Sequence, residues 1–332
     1  MASQARPAAP PVLVDAQRDA LQEQFRRDVL AGLTQPQKAI PARWFYDHTG
    51  SELFDQITRL PEYYPTRTET GILSGLSGDI SQAVGTGAAV VEFGAGSATK
   101  TPLLLDRIKP AGYVAIDISG DYLREACEAL ALRYPTLKIV PVEADFTRPV
   151  PLPNAIADKP LLGFFPGSTI GNFTPADAVD LLRAMRETLG EGSRLLIGVD
   201  LIKDADTLVA AYDDAAGVTA AFNLNLAARI NRELGGTIPL DELGHHAIWN
   251  ADRARIEMHL EALSDISFRV ADKTFSMHAG ETIHTENSHK YDVHSASNLL
   301  LAGGWEPVSH YTDANHQFMV MLANATGGSI TA

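Results

Sequence analysis

Between Ala88 and Asp200 the sequence alternates short apolar runs with amphipathic helical stretches, and no other feature of the chain restricts its fold as much. The pattern predicts strand 88–93, a helix near 99–108, strand 113–117, helix 120–133, strands 137–142 and 160–165, helix 175–189 and strand 194–200. Such alternation means a parallel sheet with crossover helices on both faces. The rhythm returns near the C-terminus as helix 291–302 and two strands, in GWEPVSHYT and HQFMVMLA, joined by Asp313-Ala314-Asn315. A closing hairpin there sets an antiparallel strand on an otherwise parallel sheet. The fold class is therefore α/β, with a Rossmann-like core.

The remaining sequence reads differently. Apolar residues recur at helical spacing from Val14 to Leu33, KAIPARWFYDHTG supplies a loop, SELFDQITRL reads as a helix capped by Ser51, and another helix is expected after Thr66. Beyond Asp200 come two helical stretches, DADTLVAAYDDAAG and VTAAFNLNLAARINREL, then strand-like alternation in HHAIWNADRARIEMHLEAL and ISFRVADKTFSM. We expect residues 13–63 and 201–290 to form an inserted α+β substrate-binding domain over the carboxyl edge of the sheet, where open α/β folds bind ligands. Residues 64–200 and 291–325 would form the cofactor-binding domain, and residues 1–12, which lack a signal-peptide pattern, a disordered tail.

Charge narrows the partners. With 41 acidic against 27 basic residues the formal charge is −14, and no Lys/Arg cluster offsets it, so nucleic acid is excluded as a ligand. No apolar run of about 18 residues offers a membrane span, and a cytoplasmic protein is expected. The single cysteine, Cys127, lies in an apolar-periodic stretch and reads as a buried structural thiol. The ten histidines show no His-x-x-x-His on a helix and no Cys/His grouping, so no metal is expected. A small-molecule substrate is favoured. The oligomeric state is left open, a monomer being compatible with all of this.

Val90-Val91-Glu92-Phe93-Gly94-Ala95-Gly96 is a strand entering a Gly-x-Gly turn that lets a ligand approach the backbone. Asp117, about twenty residues on at the end of the second strand, suits a carboxylate that accepts from ribose hydroxyls. The third glycine of the dinucleotide fingerprint is replaced here by Thr99 and Lys100, which removes support for nicotinamide or flavin cofactors. After the third strand, Asp145 could accept from an adenine amino group while Phe146 covers the ring. Together these read as an S-adenosyl-L-methionine site; the alternative is a tight turn at Gly94 and Gly96 with Asp117 and Asp145 as helix caps.

RWFYDHTGSELFDQITRLPEYYPTRTE, FGAGSATKT, FFPGSTIGNFTP, LVAAYDDAAGVTAAFN and HTENSHKY closely resemble the corresponding segments of the ergothioneine-pathway histidine Nα-methyltransferases, which are similar to the fungal methyltransferases of dimethylallyltryptophan. The resemblance covers nearly everything after the N-terminal tail. It implies a methyltransferase core with an inserted substrate domain, and conversion of L-histidine to the trimethylated betaine hercynine. It also implies cofactor contacts at Gly94, Lys100, Asp117, Asp145 and Phe146, with the Lys100 ammonium paired to the methionine carboxylate, and Gly96 of the turn completes the expected cofactor set. For the substrate it implies Tyr63, Asn172, Tyr212, Glu286 and Ser288, with Tyr46 and Met258 close by.

Each has a chemical reason. The Asn172 amide can serve a substrate ammonium and carboxylate at once, and the Tyr212 phenol can donate to the carboxylate. Glu286 and Ser288, two apart on an extended segment, face one side and can match the N–H and the acceptor nitrogen of an imidazole. Asn172 and Tyr46 are the candidate catalytic residues, Tyr46 or a water relaying the proton lost by the amine. On residue type alone Asn172 reads equally as a turn residue, Tyr212 as a core tyrosine and HTENSHKY as a surface strand. The competing functions are the same chemistry on another free amino acid such as tryptophan, and a cofactor-binding regulatory protein without turnover.

Overall fold

The computed structural model describes residues 15–76 and 87–327; the expected tail, 1–12, lies outside them. Its centre is a seven-stranded sheet with order β12-β13-β6-β5-β2-β3-β4. The strands are β2 (Ala89–Phe93), β3 (Gly112–Asp117), β4 (Ile139–Glu143), β5 (Leu161–Phe165), β6 (Arg194–Asp200), β12 (Trp305–Thr312) and β13 (Phe318–Ala325). β2 to β6 are mutually parallel, while β13 runs antiparallel to both β6 and β12. β2 and β3 are buried along their whole length, which is why they read as unbroken apolar runs rather than alternating ones. Successive strands step from β2 towards β4, and the chain then returns to β5 on the other side of β2. Strand order thus reverses between β2 and β5, the crevice where open α/β sheets bind ligands.

A second sheet has order β1-β11-β8-β7, built from β1 (Lys38–Ala39), β7 (Leu243–Asn250), β8 (Arg255–Ala262) and β11 (Thr282–His289), with a hairpin of β9 (Ile266–Val270) and β10 (Lys273–Met277) beside it. Phe25 and Val29 of helix α1 (Asp15–Leu33) share a buried core with Trp44, with Phe222 and Leu226 of the helix Val218–Leu234, and with Ile256 and Leu260 of β8. Two other buried clusters lie against the seven-stranded sheet. Among the described residues no helix is long and apolar enough to cross a membrane.

Local expectations shift at four places. The helix expected from Ser51 runs His48–Ile57 (α2), because the Asp47 carboxylate accepts from the Gly50 amide at 2.7 Å and takes the cap, leaving Ser51 buried inside the helix. The helix expected after Thr66 already begins at Tyr64 (α3, Tyr64–Gly75), since Pro65 fits a first helical turn. DADTLVAAYDDAAG is helical only over Ala205–Ala210, so Tyr212 stands in the following turn. Asp214, in the same stretch, is buried and caps the next helix, accepting from Val218 and Thr219. HTENSHKY forms β11, flanked by β8 and β1 rather than lying on the surface.

Candidate active site

A cavity of about 790 Å³ lies at the carboxyl ends of β2, β3 and β5 and reaches the second sheet. Its walls include Gly94, Gly96, Lys100, Asp117, Asp145 and Phe146 on one side, and Tyr46, Tyr63, Asn172 and Glu286 on the other. Residues far apart in the chain are thus gathered round one space. Met258, Tyr212 and Ser288 are buried behind this wall instead of lining it.

On the core side Gly94 and Gly96 have φ of +68° and +52°, conformations that cost glycine little. A Cβ on Gly94 would lie 3.5 Å from the Phe146 ring, so the turn and the ring adjoin as one stretch of cavity wall. Asp117 accepts from the Gly96 amide and the Ser119 amide, both at 2.9 Å. Burial raises its pKa while these amides oppose the rise. Two carboxylate lone-pair sites remain for a ligand. Asp145 is more committed: Thr147 donates to it through N at 3.0 Å and Oγ1 at 2.6 Å, and Arg43 through Nη1 at 3.3 Å. The Lys100 ammonium, which lines the cavity, is paired with the fully buried Glu69, which also accepts from the Gly167 amide. The cofactor carboxylate would have to share that ammonium.

On the other side an edge-to-face chain of rings runs from Tyr46 through Phe54 and Tyr63 to Tyr212, with centroid separations of 5.7, 6.1 and 6.2 Å. Such contacts fix ring orientation. Burial, with Glu286 among the nearby charges, pushes the Tyr46, Tyr63 and Tyr212 hydroxyls well above the usual phenol range. Tyr46 can therefore relay a proton only by passing one on as it takes one up, not as a standing phenolate. Asn172 ends the 3-10 turn Thr169–Asn172 just past β5, and its amide bonds to no described residue.

Glu286 differs from every other carboxylate lining this cavity. It is 9% exposed, and its side chain has no hydrogen-bond partner among the described residues. Burial lifts its pKa to about 7, with Lys290 opposing the rise. It pairs across the sheet with Met258, and Ser288 with Ile256, so Glu286, Met258 and Ser288 stand on one face. An unpartnered buried carboxylate is costly unless a cation or N–H donor meets it.

Sequence reasoning missed the group behind Glu286. Lys290, whose side chain is 0% exposed, pairs with Asp200 at 2.8 Å. Asp200 also accepts from Tyr64 at 2.7 Å and from Lys203 at 2.7 Å. The signal was available: Lys290 continues the spacing of Glu286 and Ser288, and Asp200, like Asp117, ends a core strand. Also missed was a cluster on the opposite face of β8, where donor atoms of Glu257, His259 and His284 lie within 4.8 Å of one another. Arg255 donates to Glu257 at 2.7 Å, and burial followed by the neighbouring His284 pushes His259 down to about 4. Its ligand types come from strands far apart in sequence, which helical spacing could not reveal.

A reversed-order, seven-stranded sheet whose strand ends present a glycine turn and a carboxylate with free acceptor capacity to a cavity that has an aromatic wall opposite defines a Rossmann-like S-adenosylmethionine-dependent methyltransferase. A family profile described as "Histidine-specific methyltransferase, SAM-dependent" matches residues 25–325, and the chain belongs to that family. It is 44% identical over 311 residues, 92% of this chain and 96% of the relative, to the "Histidine N-alpha-methyltransferase" of Mycolicibacterium smegmatis. It is 27% identical to "Ergothioneine biosynthesis protein 1" of Neurospora crassa, covering 94% of this chain and 36% of that protein. The "4-dimethylallyltryptophan N-methyltransferase" of Aspergillus fumigatus is 26% identical, with 92% of this chain and 94% of the relative covered.

Proposed function

We propose that this chain transfers methyl groups from S-adenosylmethionine to the α-amino nitrogen of free L-histidine, giving hercynine, as a step of ergothioneine biosynthesis in the cytoplasm. The observation that carries the choice of substrate is Glu286, a buried carboxylate on the cavity wall with no hydrogen-bond partner among the described residues. An imidazole N–H supplies the missing donor, whereas an indole would leave the neighbouring Ser288 without an acceptor nitrogen to serve.

The cofactor fits the residues present: Phe146 and the Gly94 turn line the cavity side by side, where they can cover a planar base, and Asp117 keeps acceptor capacity for a ribose. When bound, it supplies an electrophilic methyl group on a sulfonium. The protein's own residues then align, desolvate and deprotonate the amine. Asn172 would hold the amine and carboxylate, Tyr63 and Tyr46 would exclude water, and Tyr46 would pass on the amine proton. We assign residues 13–63 and 201–290 to substrate binding and the remainder of the fold to the cofactor. Calorimetry with S-adenosylhomocysteine and single amino acids tests the substrate: histidine should bind to the binary complex and tryptophan should not. Preferential binding of tryptophan would reassign the enzyme to that amino acid.

A further inference from the structure

Two hydroxyls behind the cavity wall leave a hydrogen-bond account that does not close inside the protein. Lys290 Nζ donates to Ser288 Oγ at 2.8 Å and to Tyr212 Oη at 3.0 Å, and pairs with Asp200 Oδ2 at 2.8 Å. An ammonium has three hydrogens, and all three are spent. The two hydroxyls are 2.7 Å apart, so one donates to the other. Of their two hydrogens, one is consumed in that contact. The second has no acceptor among the described residues.

With Lys290 filling an acceptor site on each oxygen, the pair can offer a ligand a donated hydrogen more readily than it can accept one. We propose that Lys290 is a positioning residue for substrate selection: it sets Tyr212 and Ser288 as a donor pair directly behind the cavity wall, so that a ring seated against Glu286 meets one acceptor beside one donor. The inference rests on the histidine reading above and deepens it. A neutral imidazole carries one N–H and one bare nitrogen, and it matches acceptor and donor together. Imidazolium, with two N–H groups, would leave the donated hydrogen facing another donor, so the ring is bound neutral.

Lys290 also acts on Glu286 directly, since it is the charge opposing the burial that lifts this carboxylate to about 7. The other titratable groups facing Glu286 are the phenols of Tyr46, Tyr63 and Tyr212, all held protonated by burial. Without Lys290 the carboxyl would hold its proton to higher pH and would lose its value as an acceptor near neutrality. Asp200 would remain held by Tyr64 and Lys203, so the fold keeps a partner for that charge.

The experiment compares wild type, Lys290→Met and Lys290→Arg in steady-state methylation of L-histidine across pH, with calorimetric S-adenosylhomocysteine affinity alongside. Lys290→Met should raise KM for histidine at least tenfold, lower kcat by a smaller factor, leave S-adenosylhomocysteine affinity within twofold, and move the acid limb of kcat/KM to higher pH. Lys290→Arg, which keeps the charge, should return the acid limb towards wild type. If Lys290→Met does not fold, the double variant with Asp200→Asn, which restores the local charge balance, takes its place. A folded variant with KM for histidine within twofold of wild type and an unmoved acid limb overturns the proposal, as does equal loss of histidine and cofactor affinity, which marks a merely structural lysine. Wild type that does not methylate histidine at all contradicts the histidine reading instead.

Discussion

Replacing Glu286 with glutamine should make the ligand-free protein more stable at alkaline pH while impairing its function. Burial raises this carboxyl from 4.5 to about 7. The folded protein therefore binds a proton more tightly than the unfolded chain, and the group's contribution to stability is present below the unfolded pKa and lost as pH rises through the folded one. At about 1.36 kcal/mol per unit the full displacement corresponds to about 3 kcal/mol, most of which develops between pH 5 and pH 8.5. Glutamine has nearly the same shape and cannot ionise. Fixed costs of the substitution, such as an amide facing Lys290, cancel when the two pH values are compared. The assay is urea unfolding of wild type and Glu286→Gln at both pH values without ligand. The stability of the variant relative to wild type should rise by about 2–3 kcal/mol from the lower to the higher pH. A change below about 0.5 kcal/mol would show that Glu286 ionises without penalty, and the argument that it awaits a ligand donor would fail.

Asp117→Ala should weaken S-adenosylhomocysteine binding about ten- to a hundredfold by calorimetry, the equivalent of a lost charged acceptor worth about 1.5–3 kcal/mol, and an unchanged Kd in a folded variant removes the ribose role. Asn172→Ala should keep cofactor affinity and lose nearly all turnover, because this otherwise unbonded amide aims the amine; near-normal rates in a methylation assay exclude it from the site. Glu286→Ala should raise KM for histidine about ten- to a hundredfold and shift relative kcat/KM towards tryptophan, more so with Met258→Val beside it, whereas a histidine-to-tryptophan ratio within about twofold of wild type counts against imidazole recognition. Gly32→Ala places a Cβ 1.7 Å from the Ala39 carbonyl oxygen on β1, and thermal unfolding should show a loss of about 2 kcal/mol or more; an unchanged Tm means α1 does not pack on that strand as described.

Legibility in the sequence followed the range of the interactions involved. Helices 120–133 and 175–189 were readable to the residue because periodicity and local start signals, such as Thr174 followed by Pro175, agree with the tertiary fold. Ser51 was chosen as a cap because its residue type permits it, but Asp47 competes for the same amides and reaches them first. DADTLVAAYDDAAG has helical texture throughout, but Asp214 spends its carboxylate capping the next helix and so ends the first one before Tyr212. Lys38–Ala39 is too short for any periodicity, and it becomes a strand only because β11 offers it a partner. Within the site, Gly94, Asp117 and Phe146 lie at strand ends, where position alone suggests a ligand. The pairing of Lys100 with Glu69 joins residues of α3 and the β2-to-β3 crossover, and no spacing rule connects those two positions. Lys290 was missed because a lysine at a strand end normally reaches water, whereas here Asp200, Tyr212 and Ser288 enclose it.

The central claim, methylation of the histidine amine, is tested most directly by incubating the protein with methyl-labelled S-adenosylmethionine and an equimolar mixture of free amino acids, and following every amino acid by mass spectrometry. The account predicts that histidine alone takes up label, passing through one and two methyl groups to a trimethylated product with the label on the α-nitrogen. Label on tryptophan or another amino acid in preference to histidine, or on the imidazole ring, would contradict it, as would the absence of any labelled product from a protein that binds S-adenosylhomocysteine.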